Sequence, residues 1–276
     1  MPPVHIDSAP MKRALVARGL MPAFRAALHR DGPPAFQVLQ SFPTNGHPAG
    51  KTVCVLDSSF NPPTKAHMNL AIRALDHYTP TDDKTEEKPS LLLLLATANA
   101  DKKAVPAATE QRLAMMCLLA DELRSRNNTT DYHVDVGVTA SARFIDKCAD
   151  LQAYGYGDRR LVWIVGFDTL TRILDTKYYP PEHTLAPVYD TLLSGTNRIL
   201  AFGRPGEAFG DAATQQAYYA ALDSRVADRV DVLEADEATA GISSSAARAS
   251  VARDGSVDGS VCESVAAFIQ AEDLYR

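Results

Sequence analysis

Apolar positions along this chain follow two patterns that alternate with each other. Short apolar runs bounded by turn-forming residues predict buried β-strands. Longer segments in which apolar residues recur every three or four positions predict amphipathic α-helices. The strand-like segments are 53–56, 91–96, 132–138, 161–165, 198–202 and 230–233. The helix-like segments are 11–30, 64–77, 109–126, 141–154, 214–222 and 260–275.

Strands that alternate with helices at this spacing indicate one fold class. They predict an α/β protein with a Rossmann-like, doubly wound parallel sheet and right-handed crossovers. Ligands of such sheets bind beyond the carboxyl ends of the strands, where the strand order switches. We expect residues 1–50 to form an N-terminal helical extension packed on the main domain, and residues 51–276 to form that domain.

Composition narrows the classes of protein to consider. With 276 residues, 46% of them hydrophobic, the chain has enough apolar material for one large α/β domain. Its formal net charge of −6 argues against a general nucleic-acid binder, because phosphate backbones require a basic face. We find no apolar run of membrane-spanning length and expect no membrane partner.

The four cysteines are scattered along the chain, which predicts free buried thiols in a reducing compartment. We therefore expect a cytoplasmic or nuclear location. Segment 11–30 is basic and lacks acidic residues, so a mitochondrial location stays open as the alternative. The sequence leaves open whether the protein forms oligomers.

The first candidate site follows the strand-like segment 53–56. The chain turns through Ser-Ser-Phe-Asn-Pro-Pro, and Thr64 is a good N-cap residue for the helix that begins there. His67 then falls in the first helical turn, beside unpaired backbone N–H groups that favour an anion. We expect this imidazole to add a donor that carries charge near neutral pH.

The second candidate site is Gly-Ile-Ser-Ser-Ser-Ala-Ala-Arg at 241–248. Taken alone, its serines are typical of a helix N-cap. Ser244, Ser245 and Arg248 also bring hydroxyl groups and a guanidinium to one helix start, which suits a phosphate chain. Two such helix starts would grip one triphosphate from two sides.

Other unusual residues also follow predicted strands. Gly166 and Asp168 come directly after segment 161–165, and Arg204 comes after segment 198–202. Asp168 is either a helix N-cap or a carboxylate that accepts ribose hydroxyl groups, with Gly166 giving a ligand access to the backbone.

The two motifs resemble those of a known family. Ser-Phe-Asn-Pro-Pro-Thr-x-x-His resembles the (T/H)-x-x-H signature of the nucleotidyltransferase superfamily, in the form found in nicotinamide mononucleotide (NMN) adenylyltransferases. Ile-Ser-Ser-Ser-x-x-Arg resembles the Ile-Ser-Ser-Thr-x-x-Arg motif of the same superfamily. The resemblance implies AMP transfer from ATP to NMN, with NAD and pyrophosphate as products. It implies His67 and Arg248 as catalytic residues and Mg²⁺ held mainly by the ATP phosphates.

The resemblance also implies further contacts. ATP and its phosphates would be bound by Ser59, Phe60, Thr64, Lys102, Lys103, Gly166, Asp168, Arg204, Ser244 and Ser245. NMN would be bound by Ser59 and Phe60, with Tyr178 or Tyr179 stacking on the nicotinamide ring.

Two departures from the family pattern keep alternatives open. Ser58 stands where the family has glycine, which would either strain the backbone or restrict access. Val136-Gly137-Val138 stands where the family has Trp-Glu. These point to a divergent, fungal-type branch. The alternatives are a nucleotidyltransferase with another acceptor, a branch that hydrolyses ATP, and a nucleotide-binding protein without catalytic activity.

Overall fold

The computed structural model describes residues 8–29, 35–43, 50–80, 88–97, 107–125, 132–203, 210–234, 236–257 and 259–276. Seven strands in these segments form one sheet. They are β1 (Phe36–Phe42), β2 (Thr52–Asp57), β3 (Ser90–Ala96), β4 (Val134–Thr139), β5 (Arg160–Gly166), β6 (Arg198–Phe202) and β7 (Val230–Leu233). Their spatial order is β1-β4-β3-β2-β5-β6-β7.

Six of these strands run parallel, which confirms the predicted α/β sheet. The exception is β1, which pairs antiparallel with β4 at the edge of the sheet. The sheet is therefore mixed, and residues 36–42 extend it. The division of the chain at residue 50 stays a prediction.

Within the described segments, ten α-helices connect or cover the strands. They are α1 (Ala9–His29), α2 (Lys65–Tyr78), α3 (Thr109–Ser125), α4 (Phe144–Leu151), α5 (Phe167–Ile173), α6 (Ala212–Ala220), α7 (Ser224–Ala227), α8 (Glu237–Ala240), α9 (Ser244–Asp254) and α10 (Glu263–Ala271). Three short segments of other helix types lie at Gln152–Tyr156, Thr176–Tyr178 and Val188–Leu192. Among the described helices, none combines the length and apolar character needed to cross a bilayer.

Each face of the sheet has its own hydrophobic core, so the sheet is covered on both sides. In β2, Cys54 and Leu56 point into the core under α1, α2, α3 and α10. Val53 and Val55 point into the core under α4 and α5. The crossovers change face between β2 and β5, and this switch point is where the fold class predicts a ligand site.

The basic helix α1 packs against α3 and α10. Its apolar side, including Ala14, Ala17 and Phe24, is buried. Its arginines bind carboxylates of the domain, in the pairs Arg13–Asp121, Arg18–Glu272 and Arg25–Glu110. The arginines of this segment therefore form ion pairs that hold α1 on the domain. The four cysteines are free and buried, as predicted.

Candidate active site

A cavity of about 310 Å³ opens at the carboxyl ends of β2, β5 and β6. One wall is the first half of α2, and another is the start of α9. The predicted residues in its lining are Thr64, His67, Gly166, Asp168 and Ser244. Residues that lie far apart in the sequence, such as His67 and Gly166, thus line one cavity at the switch point.

His67 is fixed in one orientation by the start of its own helix. Thr64 is the N-cap of α2, and its backbone N–H donates to His67 Nδ1 at 3.0 Å. Because Nδ1 accepts this hydrogen bond, the neutral imidazole carries its proton on Nε2. Nε2 then donates to Ser58 Oγ at 2.9 Å. The histidine therefore presents a single N–H group toward the cavity.

The charge expected on His67 near neutral pH is not supported. Burial lowers the pKa of His67 from 6.5 to about 4, because the imidazolium form loses its hydration. The ring of Phe60 also lies against it, with centroids 5.1 Å apart. At pH 7 the side chain is a neutral hydrogen-bond donor.

The loop 58–63 joins β2 to α2. Its strained residue is Phe60, with φ of 43°, and not Ser58. Ser58 instead places its hydroxyl group beside His67 Nε2, where the glycine of the family would leave space. The Phe60 side chain is fully buried, and neither Ser59 nor Phe60 lines the cavity. The substrate contacts predicted for Ser59 and Phe60 stay predictions.

The start of α9 also contacts the loop 58–63. Ser243 is the N-cap, and its Oγ accepts the N–H of Ala246 at 3.1 Å. Ser244 Oγ donates to the carbonyl of Pro62 at 2.8 Å. Both serines line the cavity. The predicted convergence of two helix starts is therefore present.

Arg248 lies beside the cavity and does not line it. Its Nη1 donates to the carbonyl of Asn61 at 2.6 Å, and its Nη2 donates to Ser245 Oγ at 3.2 Å. Ser245 is exposed next to it. The guanidinium is thus close to the loop 58–63 but bound to neutral oxygens.

A second arginine holds the loop from the core side. Arg112 is 4% exposed, and its Nη1 donates to the carbonyl of Ser59 at 3.3 Å. Burial lowers the pKa of this guanidinium below its ordinary value. Asn61 Oδ1 accepts hydrogen bonds from the N–H of Ala107 at 3.1 Å and from the Tyr275 hydroxyl at 2.8 Å. These contacts fix the loop that carries Ser58.

Gly166 and Asp168 form the part of the cavity beyond β5. A Cβ atom at Gly166 would lie 3.0 Å from Asp168 Oδ1. The glycine has φ of −81°, so it is needed for space and not for its backbone conformation. It leaves room for the carboxylate of Asp168 in the cavity.

No family model matches the chain. Over 169 residues, the chain is 38% identical to a protein of Schizosaccharomyces pombe whose name gives it, provisionally, as a nicotinamide mononucleotide adenylyltransferase. This match spans 61% of the chain and 59% of the relative, which is less than two thirds of the relative's length.

Solved structures show the same fold. Plasmodium falciparum nicotinic acid mononucleotide adenylyltransferase complexed with NaAD has a TM-score of 0.53 and 14% identity, and covers 82% of this chain and 97% of its own. The structure complexed with APC has a TM-score of 0.52 and 13% identity, over the same shares. The chain has the nucleotidyltransferase fold. The α/β fold class predicted from the sequence is thereby confirmed.

Several residues expected to bind substrates lie elsewhere in this nucleotidyltransferase fold. Tyr178 is 40% exposed, and Tyr179 is buried and donates to the carbonyl of Ile173 at 2.6 Å. Neither tyrosine lines this cavity, and stacking of either ring on the nicotinamide stays a prediction. Lys102, Lys103 and Arg204 lie outside the described residues.

The cavity also contains residues that sequence reasoning missed. Asp57 ends β2 and lines the cavity, and Lys147 of α4 forms an ion pair with it. Arg73 lines the cavity with its guanidinium 5.1 Å from the centre of the Phe202 ring. Asp57 could have been found from its place after an apolar run, the same signal that singled out Gly166.

Proposed function

We propose that this chain transfers the AMP moiety of ATP to NMN and releases pyrophosphate, forming NAD. One observation carries the proposal: the starts of α2 and α9 meet at one cavity that also contains Gly166 and Asp168. The relative of the chain is named for this reaction, and the solved structures of similar fold are named for the nicotinic acid form.

The reaction needs little covalent chemistry from the protein. A phosphate oxygen of NMN attacks the α-phosphorus of ATP, and the bond to the bridging oxygen of pyrophosphate breaks in line. Because the second pKa of a phosphomonoester is about 6, the nucleophile is already anionic at neutral pH. No general base is required, and catalysis depends on positioning and on stabilising charge.

His67 supplies a neutral donor to that reaction. Its Nε2–H, now directed at Ser58 Oγ, would donate to an oxygen of the α-phosphate where negative charge builds up. The hydrogen bond from Thr64 to Nδ1 keeps the tautomer that makes this donation available. The imidazole then acts without gaining or losing a proton.

The start of α9 would bind the remaining phosphates. Ser244 lines the cavity at this helix start, and Ser245 and Arg248 lie next to it. On binding, Arg248 would exchange the neutral carbonyl of Asn61 for an anionic phosphate oxygen, which is the stronger acceptor. Lys102, Lys103 and Arg204 are proposed to add positive charge.

The nucleoside end of ATP would lie beyond β5. Asp168 is placed to accept ribose hydroxyl groups, and Gly166 leaves the space for them. Among the described residues, no three histidine, cysteine or acidic side chains form a group able to hold a metal ion. Mg²⁺ would therefore be held mainly by phosphate and water oxygens, where it neutralises phosphate charge.

A pyrophosphate-release assay tests the proposal, with ATP plus NMN compared against ATP alone. We expect release only in the presence of NMN, with an equal amount of NAD. Phosphate or pyrophosphate release from ATP alone would indicate the hydrolysing alternative. ATP binding without any release would indicate the non-catalytic alternative, and either result would overturn the proposed transfer.

A further inference from the structure

A buried ion pair lies at the cavity and has no part in the mechanism above. Lys147 Nζ donates to Asp57 Oδ2, and the two side chains are only 4% and 9% exposed. Phe144 covers the ammonium, with its ring centre 4.9 Å away. Because taking two charges out of water costs free energy, such a pair is weak evidence for a role in stability. Its position at the cavity points to a ligand instead.

The direction of Asp57 follows from the alternation of β2. Val53 and Val55 point into the core on the side of α4, and Asp57 continues that series. His67 is carried by α2, whose buried residues belong to the opposite core. Asp57 therefore enters the cavity from the α4 side, away from the helix that would bind phosphate.

Asp57 lines the cavity, and one oxygen of its carboxylate has bonding capacity left. Lys147 occupies Oδ2, and no described residue donates a hydrogen bond to Oδ1. An ionised carboxylate can only accept hydrogen bonds. Oδ1 therefore favours an N–H or O–H group of a ligand and repels a ligand carboxylate.

The acceptor nucleotide is the substrate that would reach this oxygen. The AMP part of ATP would extend over β5 and β6, toward Gly166 and Asp168. The phosphate of the acceptor nucleotide must lie near His67. The nicotinamide ring of the acceptor would therefore extend from there to the side that AMP does not occupy. Asp57, which lines the cavity at the end of β2 and pairs with Lys147 of α4, would meet the ring there.

The comparisons give two acceptors that differ in one group on the ring. The relative is named for the nicotinamide form, which carries a carboxamide, and the solved structures are named for the nicotinic acid form, which carries a carboxylate. Resting on the proposed function, we propose that Asp57 is a specificity-determining residue that accepts the carboxamide N–H and disfavours the acid. Lys147 is the positioning residue that holds Asp57 in place.

The test compares kcat/KM for NMN and for nicotinic acid mononucleotide at one saturating ATP concentration. We expect the wild-type protein to favour NMN at least tenfold. In Asp57→Asn the amide group donates to a carboxylate, so the ratio of the two kcat/KM values should fall at least tenfold, equivalent to about 1.4 kcal/mol.

A second variant and a control separate specificity from general damage. Asp57→Asn leaves the Lys147 ammonium buried without its partner, so the double variant Asp57→Asn/Lys147→Gln carries the test if the single variant does not fold. The control is Asp168→Asn, a carboxylate that lines the same cavity beyond β5. It should weaken ATP binding and leave the acceptor ratio within about twofold.

The results distinguish this inference from the proposed function. A wild-type protein that favours the acid, or Asp57 variants that keep the wild-type ratio, would overturn the role of Asp57 and leave the adenylyl transfer standing. A wild-type protein that forms a dinucleotide from neither acceptor would overturn the proposed function, and the inference would fall with it.

Discussion

Two histidine clusters lie at opposite edges of the sheet, and they are built from similar groups. At the carboxyl edge, His67 bonds to Thr64 and Ser58. At the amino edge, His133 Nε2 lies 2.8 Å from Asp135 Oδ1 in β4. Asp135 also accepts hydrogen bonds from Ser41 of β1 at 2.6 Å and from the hydroxyl of Tyr156 at 2.8 Å.

The clusters differ in what their polar atoms face. Burial alone would raise the pKa of Asp135, but the hydrogen bonds from His133, Ser41 and Tyr156 lower it below its ordinary value. This cluster is enclosed by protein and ties the edge strand to the sheet. His67 instead lines a cavity, and its ring nitrogens bond to the hydroxyl and backbone groups of Ser58 and Thr64. The two clusters contain similar residue types. What marks the His67 cluster as a candidate site is that it lines the cavity at the switch point, whereas the Asp135 cluster does not.

The sharpest test of this difference is the same substitution in both clusters. His67→Ala should lower turnover about 10³-fold, or about 4 kcal/mol in the activation barrier, because a preorganised donor to the α-phosphate is lost. Its free energy of unfolding should fall by only about 1 kcal/mol, the typical value for a helix cap. Steady-state kinetics and urea unfolding measure the two effects. A variant with near-normal turnover would remove His67 from the reaction.

His133→Ala should show the reverse pattern. Removing this imidazole leaves the buried carboxylate of Asp135 without one of its donors, so the free energy of unfolding should fall by about 3 kcal/mol. Turnover per folded molecule should stay within about twofold, since the cluster lies at the other edge of the sheet. Urea unfolding and active-site titration check this prediction, and unchanged stability would contradict the structural role of the cluster.

Acid should destabilise the protein through His67. Its pKa is about 4 in the folded protein against the ordinary value of 6.5 expected for the unfolded chain, so the unfolded chain takes up this proton first as the pH falls. The contribution is fully present above pH 6.5 and is lost as the pH falls toward 4. Between pH 7 and pH 5 the loss should be about 2 kcal/mol larger in the wild type than in His67→Gln, measured by urea unfolding. Equal losses in the two proteins would show that His67 is not held neutral.

The smallest expected effect concerns Arg248. Arg248→Ala should raise the KM for ATP about tenfold, or about 1.4 kcal/mol, because a charge-assisted contact to phosphate is lost while His67 remains. The matched control is Arg253→Ala on the same helix, where the arginine pairs with Asp254. The control should leave the KM for ATP unchanged, and an equal KM in the two variants would argue against a phosphate contact from Arg248.

The sequence predicted the elements better than the contacts between them. The segment 109–126 is observed as Thr109–Ser125, and 198–202 is observed unchanged, because local periodicity and turn residues set these bounds. The strand β1 was hidden within the expected extension, since its partner β4 lies almost a hundred residues further along. Pairing at that distance leaves no local pattern.

Within the site, the two motifs located the helix starts but not the state of their side chains. The neutral charge of His67 depends on burial, which the motif alone does not determine. The bond from Arg248 to Asn61 joins two motifs, and the ion pair of Asp57 with Lys147 joins β2 to α4. Tyr178 and Tyr179 were chosen by distance along the chain, which does not determine position around a cavity.

The loop 58–63 receives its hydrogen bonds from residues that a ribosome adds much later. Its carbonyl groups accept from Arg112, Ser244 and Arg248, and Asn61 Oδ1 accepts from Tyr275. During synthesis, the loop 58–63 therefore lacks most of these hydrogen bonds until residues 244–275 have left the exit tunnel. The proposed adenylyl transfer would thus require the folding of these later residues, so activity itself could serve as a reporter of that step.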